Sequence, residues 1–73
     1  MDAVFCRSSA SYAETPVALI WDSERLEVQA VLERWRSPLG AGFRVQTGDG
    51  RQFSLFYDEA LDAWRVELFA EYL

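Results

Sequence analysis

Phe43, Val45 and Thr47 alternate with Arg44 and Gln46, Gly48-Asp49-Gly50 interrupts the run, and Phe53, Leu55 and Tyr57 then alternate with Gln52, Ser54 and Phe56. Successive side chains of a strand point to opposite faces, so each run presents one apolar face. An Asp-Gly pair between two such runs supplies the backbone freedom that a tight turn needs. The stretch 43–57 therefore predicts a β-hairpin. Any fold for this chain has to bury the face that carries Phe43, Val45, Phe53 and Leu55.

The flanking segments extend the same pattern. Pro16 suits the first position of a strand, where a missing amide hydrogen costs least, and Val17-Ala18-Leu19-Ile20-Trp21 is a run of strand formers ending at Asp22-Ser23-Glu24. Leu26, Val28, Ala30 and Leu32 alternate with Glu27, Gln29 and Glu33, and the segment continues through Arg36. Ser37-Pro38-Leu39-Gly40-Ala41-Gly42 reads as a loop. After a polar turn at 58–62, Trp64, Val66 and Leu68 alternate with Arg65 and Glu67.

The expected fold is all-β, a curled meander of five antiparallel strands near 17–22, 26–36, 43–47, 51–57 and 63–69. Its expected core is Leu19, Trp21, Leu26, Val28, Ala30, Leu32, Phe43, Val45, Phe53, Leu55, Tyr57, Trp64, Val66 and Leu68. A helical reading stays open at two places. Val28, Val31, Leu32 and Trp35 also share one side of a helix, as do Leu61, Trp64 and Leu68, the latter among the helix formers Glu59, Ala60 and Ala63. The alternative fold is therefore α+β, the hairpin with a C-terminal helix.

With 73 residues, 51% of them hydrophobic and 15% aromatic, the chain is long enough for one small domain and too apolar for intrinsic disorder. Residues 1–15, with Ser8, Ser9, Ser11 and Thr15, read as a flexible N-terminal arm ahead of a single β domain at 16–73. The acid at Asp2 and the break at Arg7-Ser8-Ser9 do not suit a signal peptide, and the apolar run Val17–Trp21 is far too short to span a membrane. A lone Cys6 has no partner for an intramolecular disulfide, which points to a reducing compartment, by default the cytoplasm.

Composition also narrows the chemistry. Twelve acidic residues against seven basic ones, all Arg, give a net charge of −5, which repels a phosphate backbone. There is no His and no Lys, so the commonest general base and the usual Schiff-base amine are missing. One Cys and two acidic turns, Asp22 with Glu24 and Asp58-Glu59 with Asp62, match no zinc or calcium pattern. Gly48-Asp49-Gly50 lacks the length, Lys and following helix of a phosphate loop. Glu33 lies beside Arg34, which favours an ion pair over a general acid. The expectation is a noncatalytic chain with no metal and no cofactor.

One feature points to binding. If the strand phases hold, Val31, Trp35, Arg44, Phe56, Arg65 and Phe69 gather on the face opposite the main core. Trp, Phe and Arg are the residue types enriched at protein interfaces. Trp35, Arg44, Phe56, Arg65 and Phe69 are therefore the candidate interaction face, for a protein partner whose identity the sequence leaves open. The runner-up is single-stranded nucleic-acid binding through the same aromatics and Arg side chains, which the net negative charge disfavours. A monomer is expected, with a weak dimer as the alternative, because a small meander has unpaired edge strands.

Arg34-Trp35, Phe43-Arg44-Val45, Asp49-Gly50, Phe56-Tyr57-Asp58 and Trp64 also carry a resemblance. Together they make the stretch Val17 to Leu68 resemble an uncharacterised bacterial family of small β-domains, found alone or as C-terminal extensions of Y-family-polymerase-like mutasome proteins. The resemblance implies an accessory interaction domain in a cytoplasmic DNA-damage assembly, and it implies no catalytic residues. The chain departs from the family pattern in its longer polar arm and its acidic balance.

Overall fold

The computed structural model describes residues 3–7 and 15–70. Six strands follow one another there: β1 (Ala3–Cys6), β2 (Pro16–Trp21), β3 (Glu24–Ser37), β4 (Gly40–Thr47), β5 (Gln52–Asp58) and β6 (Ala63–Ala70). Each pairs antiparallel with the next, in the order β1-β2-β3-β4-β5-β6, so the fold is an all-β meander. The sheet curls into a half-barrel in which β1 approaches β6 without pairing to it. The stretches 26–36 and 63–68 are strand, which overturns the helical reading of both.

The sixth strand comes from the stretch expected to be a flexible arm. Ala3, Val4 and Phe5 pair with Ile20, Leu19 and Ala18, and Cys6 pairs with Pro16. The short run Val4-Phe5-Cys6 is a good strand former, and Val4 packs against the core. Residues 8–14 of the expected arm lie outside the described residues.

The turns follow from their residues. Asp22 and Ser23 both take positive φ, 54° and 66°, the pair of left-handed conformations a two-residue hairpin of this hand requires. At the β4–β5 turn the Gly50 N–H donates to the Thr47 carbonyl at 3.0 Å, the Thr47 N–H donates to the Arg51 carbonyl at 2.9 Å, and Gly50 sits at φ 92°. This is a three-residue loop closed by a glycine in the left-handed region, as the Asp-Gly pair predicts.

The loop expected at 37–42 is much shorter. Only Pro38 and Leu39 separate β3 from β4, and Gly40-Ala41-Gly42 is strand. These two glycines provide space instead of positive φ. A Cβ on Gly40 would lie 1.8 Å from the Tyr57 carbonyl oxygen, and one on Gly42 would lie 2.1 Å from the Trp35 ring.

Strand β3 is 14 residues long and joins the two parts of the curl. Its first residues pair with β2 over Glu24–Glu27, and Val28–Ser37 pairs with β4. Two bulges interrupt the second part. Val28 opposes Thr47 but Ala30 opposes Gln46, and Val31 opposes Val45 but Glu33 opposes Arg44, so Gln29 and Leu32 are extra residues on β3. Each bulge moves the following side chains to the other face. The inner face of β3 therefore carries Leu26, Val28, Val31 and Arg34, which opposes Phe43.

That shift corrects the expected core. Leu19, Leu26, Phe43, Val45, Phe53, Leu55 and Val66 form its buried centre, with Trp21, Val28, Val31, Ala41 and Trp64 packed on it. Phe53 is fully buried and meets Trp21 edge-on at 5.3 Å between ring centres. Ala30 turns to the outer face, and Leu32, a bulge residue, is 39% exposed. Leu68 faces the core side opposite Phe53, yet on the edge strand β6 it stays 40% exposed. Tyr57 is half-buried at the rim. No helix among the described residues is long and apolar enough to cross a membrane.

Candidate interaction face

The outer face of β3–β6 is built in rows across the strands. Trp35 opposes Gly42, Gly42 opposes Phe56, and Phe56 opposes Arg65. With strands about 4.8 Å apart, this row runs roughly 14 Å from the Trp to the Arg. The next row is Glu33, Arg44, Ser54 and Glu67. In β6, Phe53 opposes Leu68 and Gln52 opposes Ala70, so Phe69 is an extra residue at a bulge, and its ring lies 4.9 Å below the Arg44 guanidinium carbon.

The five residues singled out from the sequence, Trp35, Arg44, Phe56, Arg65 and Phe69, thus share one face. Val31, grouped with them from its phase, does not belong: the bulge at Gln29 turns it inward, opposite Val45.

Each residue has a local reason for its position. The Trp35 indole occupies the space above Gly42, whose missing Cβ makes room for it, and is still 43% exposed. An aromatic laid over a strand glycine restores the cross-strand contact that glycine lacks. Phe69 is 56% exposed. Arg44, whose side chain is 25% exposed, is held from three sides: its Nη2 is 2.9 Å from Glu33 Oε2, its Nη1 donates to Gln52 Oε1 at 3.2 Å, and its guanidinium stacks on Phe69. Its Nε is buried without an acceptor. Arg65 is exposed, and among the described residues it has no ion-pair partner.

Comparison with protein families, with curated proteins and with solved structures found no match for this chain.

A second aromatic group joins the buried Phe43 to Tyr57 and Trp64, which the sequence pattern places in the core and which lie half-buried at the rim of the inner face. Trp64 is 5.9 Å from Phe43 and 5.2 Å from Tyr57, ring centre to ring centre, and the Arg34 guanidinium carbon is 5.8 Å from the Phe43 ring. The Tyr57 hydroxyl donates to Asp62, and Arg36 pairs with Glu59 across the neighbouring turn. These rings pack on one another and close the end of the core. Arg34 lies beyond both bulges of β3, whose two shifts cancel, so it keeps the inward phase of Leu26 and Val28 and faces Phe43.

The ionisable groups divide the same way. Asp49 accepts from Arg51 Nε at 2.8 Å and from the Thr47 hydroxyl at 2.5 Å. The Arg51 side chain first and Thr47 second hold its carboxyl well below the usual carboxylate range. It is an ionised turn anchor, the opposite of a general acid. Burial pushes the Cys6 thiol up, away from the reactive thiolate. Among the described residues no three His, Cys, Asp or Glu side chains are grouped to hold a metal ion.

Proposed function

We propose that this chain is a noncatalytic protein-interaction module that docks a partner protein on the outer face of its curled sheet, centred on Trp35, Phe56 and Arg65, with Arg44 and Phe69 beside them. The observation that carries this reading is the row of exposed Trp35, half-buried Phe56 and exposed Arg65 on the face turned away from the core. Trp and Arg are the usual anchors of protein interfaces, and an aromatic held in place over Gly42 loses little freedom on binding.

The absence of His and Lys from the sequence supports a noncatalytic role. The motif resemblance adds the proposal that the partner belongs to a cytoplasmic DNA-damage assembly. Single-stranded nucleic acid is less well supported, because Arg44 is already engaged by Glu33, Gln52 and Phe69, and the net charge is −5.

The test is affinity capture with the wild type beside Phe56→Ser and Trp35→Ser variants shown to be folded. A partner held by the wild type and lost from both variants supports the reading, and equal capture by all three contradicts it. Addition of oligonucleotide at low salt leaves Trp fluorescence unchanged; quenching would favour base stacking instead.

A further inference from the structure

The row that begins at Trp35 ends on a charge. Arg25, Arg36, Arg44 and Arg51 each pair with an acid, and Arg34 lies over Phe43. Arg65 differs from them: it is exposed, and among the described residues it has neither an ion-pair partner nor a ring to stack on. Phe56 lies one strand away from it, half-buried, and the Trp35 indole covers Gly42 one strand further on. With strands about 4.8 Å apart, this aromatic ledge starts about 5 Å from Arg65 and extends to about 10 Å.

A partner laid on Trp35 and Phe56 takes water away from Arg65 as well. A desolvated guanidinium without an acceptor is strongly unfavourable. Arg44 brings its own acid, Glu33 at 2.9 Å, whereas no acid of the described residues pairs with Arg65. The acceptor therefore has to come from the partner. We propose, on the docking reading above, that the outer face recognises a short protein segment with an acidic side chain for Arg65 and, about 5–10 Å from it, a large apolar side chain for the ledge of Phe56 and Trp35.

A planar guanidinium takes a carboxylate in a two-bond fork, which gives geometry as well as energy. The spacing to the apolar side chain is met by residues about two apart in an extended segment, or about three to four apart on a helix. A phosphate fits less well: it carries close to two negative charges, and Glu33 and Glu67 occupy the neighbouring row. The row also sets the orientation. It is apolar towards β3 and cationic on β6, so the segment lies across the strands with its acid over β6.

The experiment is selection from a phage-displayed library of short random peptides on the immobilised protein, followed by binding of a labelled synthetic peptide of the enriched consensus. The wild type enriches peptides with Asp or Glu roughly two to four residues from a Trp, Phe, Leu or Ile. The consensus peptide binds Arg65→Glu about tenfold or more weakly, and replacing its acid by Lys restores binding to that variant. Arg25→Glu makes the same change of net charge on the part of β3 that pairs with β2, away from the row, and binds like the wild type. Phe56→Ser loses the peptide, and circular dichroism confirms the sheet in each variant. Enriched peptides without an acid, or equal binding to Arg65→Glu, overturn the proposal; loss on Phe56→Ser alone then leaves the docking reading standing. Binding to Phe56→Ser equal to the wild type overturns both. If no peptide is enriched, recognition of a short segment is overturned, and the docking reading is decided by affinity capture.

Discussion

Trp35 lies where the side chain of Gly42 would be: a Cβ built on Gly42 falls 2.1 Å from the indole. The two residues face each other across β3 and β4, and the outer-face row through Phe56 and Arg65 begins with them. Gly42→Ala must displace the indole. Although Gly→Ala in a strand ordinarily gains stability through the unfolded chain, here overpacking dominates and the net loss is about 1–3 kcal/mol. Denaturant unfolding of the variant, with a shift in Trp emission, checks this; unchanged stability would mean that the indole has another position at no cost.

Phe53 is fully buried at the centre of the curl, whereas Trp64 is half-buried at its rim. Phe53→Ala is expected to cost about 3–5 kcal/mol, a large share of what a small domain has, and Trp64→Ala less. Unfolding curves of the two variants give the order directly.

Hydrogen exchange tests β1. The amides of residues 3–6 that bond to β2 are expected to be protected, and Val4→Asp, which buries a charge beside Leu19, removes that protection and lowers stability. Exchange at the rate of an unstructured peptide would contradict the six-stranded sheet.

The hairpin at 43–57 was legible because alternation and an Asp-Gly turn agree, and β6 because Trp64, Val66 and Leu68 alternate. The bulges of β3 were not, since an extra residue changes no residue type. Their trace is the spacing of Val28, Val31 and Arg34, three apart on one face, which overlaps the helical pattern that competed with the strand reading. Strand β4 began early because Gly40-Ala41-Gly42 has the composition of a loop, while its glycines serve close approach to Tyr57 and Trp35. Strand β1 was hidden by the polar residues that follow it. Trp35 keeps the outward phase that alternation gives it because it lies beyond both bulges, whose one-residue shifts cancel, whereas Val31, between them, turns to the core.

Acid should weaken the β4–β5 turn. The folded protein holds the Asp49 carboxyl below its ordinary value, mainly through Arg51. Its contribution is therefore fully present above the unfolded value of about 3.9 and is lost as pH falls below that towards the folded value. Melting temperatures at pH about 7, 4 and 2.5 are expected to fall more steeply for the wild type than for Asp49→Asn in the lowest interval. Parallel curves would show that Asp49 contributes nothing to the acid response.

The account turns on the outer face, and a photoreactive phenylalanine analogue reads that face most directly. Placed at Phe56, in the middle of the row from Trp35 to Arg65, it is expected on illumination in the source cells to give one adduct with a foreign protein. Placed at Leu61, an exposed loop residue away from the row, it is expected to give none. Equal adducts at both positions, or none at Phe56, would contradict the assignment of this face as the docking surface.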